Sequence, residues 1–184
     1  VVITGNAVMI YTITPSLQSS QWNSLLLTIM VTLIILVAVF MYLKRSVMLG
    51  IITTLPGIIA LIWTMGLMFI AGIDFNVMTV TITSLTIGLG ITYSIHLSDR
   101  FVDEMREKDV NEAIKNTVNS TGSAIMGSAT TIGGFGVLLL SSMPPMKDFG
   151  LLTTVSIFLS FAMAVFVLPS FLVLWARHGE KREN

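Results

Sequence analysis

Apolar residues fall into five long runs separated by short polar or turn-forming segments. The first, Leu25 to Leu43, stops at Lys44-Arg45, and the second, Val47 to Ala71, contains Pro56-Gly57, where a kink is expected. The third, Met78 to Leu97, is entered through "AGIDFN" and left through a charged segment beginning at Asp99. The fourth, Ser123 to Leu140, is rich in Gly and Thr, and the fifth, Leu151 to Trp175, follows the breaker "SSMPPMKDFG". A helix crossing a hydrocarbon core of about 30 Å needs roughly 20 mostly apolar residues. The pattern therefore predicts an all-α polytopic membrane protein with five transmembrane helices inside a block over residues 21–176.

Two segments depart from this pattern. Residues 1–20 mix "VVIT" and "VMIYTI" around Gly5-Asn6 and close at Pro15, which fits two short strands or a strand and a helix, as in the remnant of an extracytoplasmic domain and its linker. Residues 109–119 place Asp109 three before Glu112, a capping-box-like start, with Val110, Ala113, Ile114 and Val118 on one face. That spacing predicts a short amphipathic helix on the cytoplasmic interface or a solvated linker helix.

Composition sharpens the class. Hydrophobic residues make up 54% and charged residues 11% of the 184 positions, and the mean hydropathy is +0.87, far above what a soluble domain needs. Ten basic and ten acidic residues cancel, so no basic excess points to nucleic acid. The absence of cysteine removes disulfides and thiolate metal sites. Basic residues gather after runs one, three and five, whereas Lys147 stands alone on the other side. The positive-inside rule then places the amino terminus outside and the tail, residues 177–184, in the cytoplasm of a multi-pass cell-membrane protein. With no initiator Met and no signal-like segment before run one, the chain reads as a fragment of a longer protein.

The candidate chemistry lies in runs three and four. "SLTIGLGITYSIHLSDRF" carries Ser84, Gly88, Thr92 and His96 four residues apart, and "STGSAIMGSATTIGGFG" carries Ser123, Gly127 and Thr131 at the same interval, with Ala124 and Ser128 parallel to them. Such stripes fit close helix packing, in which Ser123, Gly127 and Gly134 are the packing residues. They also fit a polar seam that carries ions or moves during transport. An imidazole ordinarily titrates near neutral pH, so His96 is a candidate on a proton pathway as well as an interfacial hydrogen-bonder, and Asp99, three residues on, could pair with it. Ser128, Thr130 and Thr131 could hydrogen-bond a partner's acid, an ordered water or their own backbone. Asp74 is read as a cap for the third span. Nothing resembles an enzyme: the two histidines lack metal-ligand spacing, Gly88-x-Gly90 has no phosphate-binding lysine, and no serine has a nucleophile's partners. No metal or cofactor is expected.

"GLGITYSIHLSDRF" resembles the central-helix stretch of resistance-nodulation-division (RND) exporters, in the branch of the hydrophobe/amphiphile exporters, mycobacterial lipid exporters and Patched-like proteins. "ITGNAV", "LPGI", "GIDFN", "SAIMGSATTIGGFGVLLLSSMPPMKDFG" and "VLPSFLVL" agree with it in order over nearly the whole chain. The resemblance implies a transporter of two pseudo-repeats, each with one span, an extracytoplasmic domain and five further spans, of which this chain would be one five-span block. It also implies a proton drive through carboxylates of the central helix. At the position of the family acid this chain has Thr92, which cannot exchange a proton at physiological pH, so the block is assigned to the second repeat with Thr92 in a supporting role. The expected partners are the matching N-terminal half of the same polypeptide with its extracytoplasmic domains, a lipid or other hydrophobic substrate, and in some assemblies further copies of itself. The rival readings are a sterol-sensing-domain-like lipid sensor and a SecD/SecF-like protein-export accessory.

Overall fold

The computed structural model of the protein describes residues 14–73, 79–126 and 129–183, and within them all side chains except those of 14–20, 80, 122–126, 129 and 179–183. These residues are helical throughout, with no strand among them. The strands considered for the first residues, and the cap assigned to Asp74, lie outside the described residues.

Helix α1, Thr14–Lys44, starts inside the segment expected to be an external remnant and carries the first apolar run. Leu26, Leu27, Met30 and Ile34 stay exposed on it, as a lipid-facing side requires, while Leu36 and Phe40 turn inward. At the end of α1 Arg45 takes the left-handed conformation, φ +53°. That reverses the chain at once into α2, Val47–Ala71, where Ser46 caps the N-terminus by accepting from the Leu49 N–H at 3.3 Å. The helix continues through Pro56. Gly72, at φ +64°, ends it in a conformation that favours glycine.

A 3-10 turn, Thr79–Thr81, leads into α3, Ile82–Glu104. This is the central helix: α1, α2 and α4 pack on it, as does α6, Pro144–Ala162. Helix α4, Val110–Met126, opens with the predicted cap, the Glu112 N–H donating to Asp109 Oδ1 at 3.2 Å. It buries Val110 and Ala113 against α3 rather than lying apart as a linker. It also runs to Met126, so no helix break separates the amphipathic segment from the start of the fourth run. That run resumes as α5, Ala129–Gly136, and a 3-10 turn, Val137–Leu140, folded on α6.

The proline pair expected to form an external turn starts α6, with Pro144 at its first position, where its missing N–H costs nothing. A π-helical turn, Met163–Val167, then joins α6 to α7, Leu168–Glu183. The widened turn lies directly before Pro169, which cannot donate to the Val165 carbonyl and whose ring would crowd it. Residues 177–183, expected as a free tail, continue α7.

By length and composition α1, α2 and the joined α6–α7 can cross a membrane, as Gln21–Lys44, Val47–Ala71 and Pro144–His178. Helix α3, at 23 residues, is long enough, but its hydroxyls and charges dilute its apolar content. The chain is thus an all-α membrane-type protein whose central helix is its least hydrophobic long one.

Candidate functional site

The polar residues of α3 divide between two faces. Ser84, Gly88, Thr92 and His96 all lie on the exposed side. Thr92 meets its own needs in part, its hydroxyl donating to the Gly88 carbonyl at 3.4 Å, the back-bond that lets threonine sit cheaply in an apolar helix. Among the described residues nothing covers Gly88: a side chain there would meet open space. In the fourth run, Thr131 is half-buried and Gly134 is exposed and likewise faces open space. Gly127 and Ser128 lie outside the described residues, as does the side chain of Ser123.

The opposite face of α3 holds a second polar column that the sequence reading passed over. Thr83, Thr86, Ser94 and Ser98 are all buried, as are Thr153, Ser156 and Ser160 of α6 and Thr53 of α2, the helices that pack on α3. Towards the end of α3 near Ser98, Thr53 donates to the Leu49 carbonyl at 2.7 Å and lies 2.8 Å from the Ser98 hydroxyl. At the other end the amide of Gln21, only 1% exposed, donates to Thr83 Oγ1 at 2.6 Å. Thr86 returns to the Ile82 carbonyl at 2.7 Å. Ser94, Thr153 and Ser160 have no hydrogen-bond partner among the described residues. From Thr83 to Ser98 the column rises about 22 Å at 1.5 Å per residue, most of a hydrocarbon core.

Close packing among the described residues rests on Gly50, Gly90 and Gly150. A side chain at Gly50 would lie 2.7 Å from Val37 Cα in the backbone of α1, one at Gly90 would collide with Ser160 across the column, and one at Gly150 would come within 2.6 Å of Leu138 Cβ. Below Gly90, Tyr93 packs edge-on to Phe161 with centroids 6.1 Å apart.

The charges at the C-terminal end of α3 are organised rather than merely solvated. Asp99 does not turn to His96: its carboxylate lies 2.9 Å from Lys44 Nζ at the end of α1, and Asp103 lies 2.6 Å from the same ammonium. Lys44, with 9% of its side chain exposed, thus pins α1 to α3. One turn on, Glu104 binds Arg100 at 2.6 Å and Lys108 at 2.7 Å. The Lys44 ammonium holds the Asp103 carboxyl below the usual carboxylate range, and the hydrogen bond from Lys108 does the same for Glu104. Among the described residues no group of three or more His, Asp or Glu side chains could hold a metal.

Comparison with known proteins agrees with the resemblance read from the sequence. The MMPL family profile matches residues 1–184. The chain belongs to the MMPL family. The putative membrane protein MJ1562 of Methanocaldococcus jannaschii is 34% identical over 180 residues, 97% of this chain and 45% of that protein. The sulfolipid-1 exporter MmpL8 of Mycobacterium tuberculosis is 28% identical over 106 residues, 56% of this chain and 10% of the exporter. The apo-petrobactin exporter of Bacillus anthracis is 30% identical over 97 residues, 52% of this chain and 13% of the exporter. The chain therefore spans less than half the length of these relatives, two of which are exporters. The family and the apolar helices of this chain together mark it as a multi-pass membrane protein.

Proposed function

We propose that this MMPL chain is the second-half membrane block of an exporter of hydrophobic or amphiphilic, lipid-like molecules, driven by the proton-motive force. The observation that carries the reading is the outward stripe of Ser84, Gly88, Thr92 and His96. Polar groups at mid-membrane are covered by protein or line water, because hydrocarbon satisfies none of their hydrogen bonds. A complementary half, the N-terminal repeat of the same polypeptide, covers this face, and its carboxylate binds the proton beside Thr92. Protonation then biases rigid-body movement of the two halves and of the external domains that hold substrate. The amino-terminal end faces outward and the Lys44, Arg100 and Arg177 end faces the cytoplasm, by the charge asymmetry of the connections. The sulfolipid-1 exporter supports a lipid-like cargo, and the petrobactin exporter supports export itself.

The test is proton-coupled export in proteoliposomes of the whole protein carrying an internal pH dye. Thr92→Ala is expected to lower transport without abolishing it, because Thr92 supports the acid and is not the acid. Normal transport by a normally expressed Thr92→Ala protein would remove the stripe from the mechanism. Saturable lipid binding with no proton flux would replace the exporter by a lipid sensor.

A further inference from the structure

Where α3 leaves the membrane, Arg100 and Glu104 of α3, Lys108 of the following turn and Asn116, Asn119 and Ser120 of α4 enclose an open cavity of about 400 Å³. We propose that this cavity binds a phosphate group, carried in the membrane on the headgroup of an acidic lipid of the cytoplasmic leaflet. The choice of leaflet rests on the orientation given under Proposed function; the oxyanion chemistry does not.

Charge at this site is layered. Glu104 forms the floor, 9% exposed, and both of its oxygens are engaged: Oε1 by Arg100 at 2.6 Å, Oε2 by Lys108 at 2.7 Å and by Asn116 Nδ2 at 3.4 Å. The cavity's own lining carries two cations to one carboxylate, with Glu107 and Glu112 near Lys108 and Asp103 near Arg100 at its edge, and Arg100 faces outward, 51% exposed where its counter-ion is buried. Only part of the guanidinium's five-donor fork and of the three-donor ammonium is used by Glu104. The remaining donors are of the kind that phosphate oxygens accept, bidentate from a guanidinium and as a point charge from an ammonium. Asn119 adds an amide that takes no part in the Glu104 bonds, and Lys115, exposed on α4 four residues before it, extends the positive rim.

Height along the helix fits a lipid headgroup. Arg100 stands about 4 Å and Glu104 about 10 Å beyond Leu97, the end of the third run, at 1.5 Å per residue. That is the headgroup layer outside the hydrocarbon, and basic pockets between helices on this side are where acidic headgroups bind. A bound headgroup would tie α3 to α4 at the turn between them, and so connect the central helix to the lipid composition around it.

The experiment is native mass spectrometry of the full-length protein in neutral detergent with equimolar phosphatidylglycerol and phosphatidylcholine of matched acyl chains, repeated with millimolar inorganic phosphate. Phosphatidylglycerol is expected to be retained in preference. Each cation contributes about a fivefold factor near an acidic surface, so Lys108→Gln lowers the preference roughly fivefold and Arg100→Gln with Lys108→Gln roughly thirtyfold. Glu104→Gln keeps it, having removed only the anion. Insensitivity to inorganic phosphate assigns the site to the lipid headgroup; displacement of the lipid by inorganic phosphate assigns it to free phosphate. Equal retention of the two lipids by the unaltered protein, or an unchanged preference in the single Lys108→Gln protein, overturns the proposal. Neither outcome touches the exporter reading, because no gradient or transport enters the measurement.

Discussion

Replacing Gly90 by Ala adds one methyl group to the most crowded place on α3. The added Cβ would lie 2.6 Å from Ser160 Cβ and closer still to its hydroxyl, whereas the Ser160 Cα would be at an ordinary 3.9 Å. Since carbon atoms pack at about 3.5–4.0 Å, α3 and α6 must separate by about an ångström or Ser160 must move, and overpacking of this kind costs about 1–3 kcal/mol. Alanine's better helix propensity returns at most about 1 kcal/mol. Because the collision is wholly with the Ser160 side chain, its remedy is specific. Ser160→Ala leaves the offending Cβ in place and rescues little, while Ser160→Gly removes it. Thermal or denaturant unfolding of the four proteins in one detergent forms a double-mutant cycle. Gly90→Ala should be destabilised, Ser160→Gly should lose up to about 1 kcal/mol from its own propensity, and the double variant should be no worse than Ser160→Gly alone. Strictly additive losses would refute the close approach of α3 and α6 at this level.

The other predictions use the same helix. Gly88→Leu, on the open face, should leave unfolding of the block unchanged but abolish export, because the space it fills belongs to the complementary half; normal export would show that nothing docks there. Thr83→Val should cost about 1–3 kcal/mol by stranding the buried Gln21 amide, whereas Gln21→Met, which removes the amide with its already unpartnered Oε1, should be nearly neutral; the reverse order in denaturant unfolding would contradict the assignment. Asp103 has a depressed carboxyl in the folded state, so its contribution is present above about pH 4, the unfolded value, and is lost as pH falls through the folded one. Lys44→Met should therefore lower the melting temperature at pH 7 and converge with the unaltered protein at pH 2–3; a constant difference across that range would mean that Asp103 is not what Lys44 holds.

Runs one, two and five were legible because mostly apolar sequence free of charge at span length admits one reading. The cap at Asp109 was legible because it is a local device of four residues. What the sequence could not decide was which side of α3 faces inward. Four-residue spacing is satisfied by Ser84, Gly88, Thr92 and His96 and equally by Gly90, Ser94 and Ser98, and only neighbouring helices distinguish them. A signal did exist in the fifth run, where Thr153, Ser156 and Ser160 form a hydroxyl stripe that belongs to the same interface. The glycines were hard to read for a related reason: Gly134 faces open space, while Gly50, Gly90 and Gly150 are fixed by partners elsewhere in the chain that the sequence alone does not name. The boundary drawn before Ser123 failed because α4 carries its helix straight from an amphipathic pattern into an apolar one.

The two faces of α3 also constrain how the block can move. Its inner face is joined to α1 through Gln21 and Thr83, to α2 through Thr53 and Ser98, and to α6 through the Gly90 and Ser160 contact. Its C-terminal end is held to α1 by Lys44. Sliding α3 against these neighbours would break both buried hydrogen bonds at once, at about 1–3 kcal/mol for each polar group left unpaired, as much as the coupling energy by which ligands usually bias a conformational equilibrium. Among the described residues the outer face has no such ties. On the function proposed above, the low-cost motion is therefore that of α1, α2, α3 and α6 together against the complementary half, with Thr92 riding on that unit rather than on a helix that shifts alone.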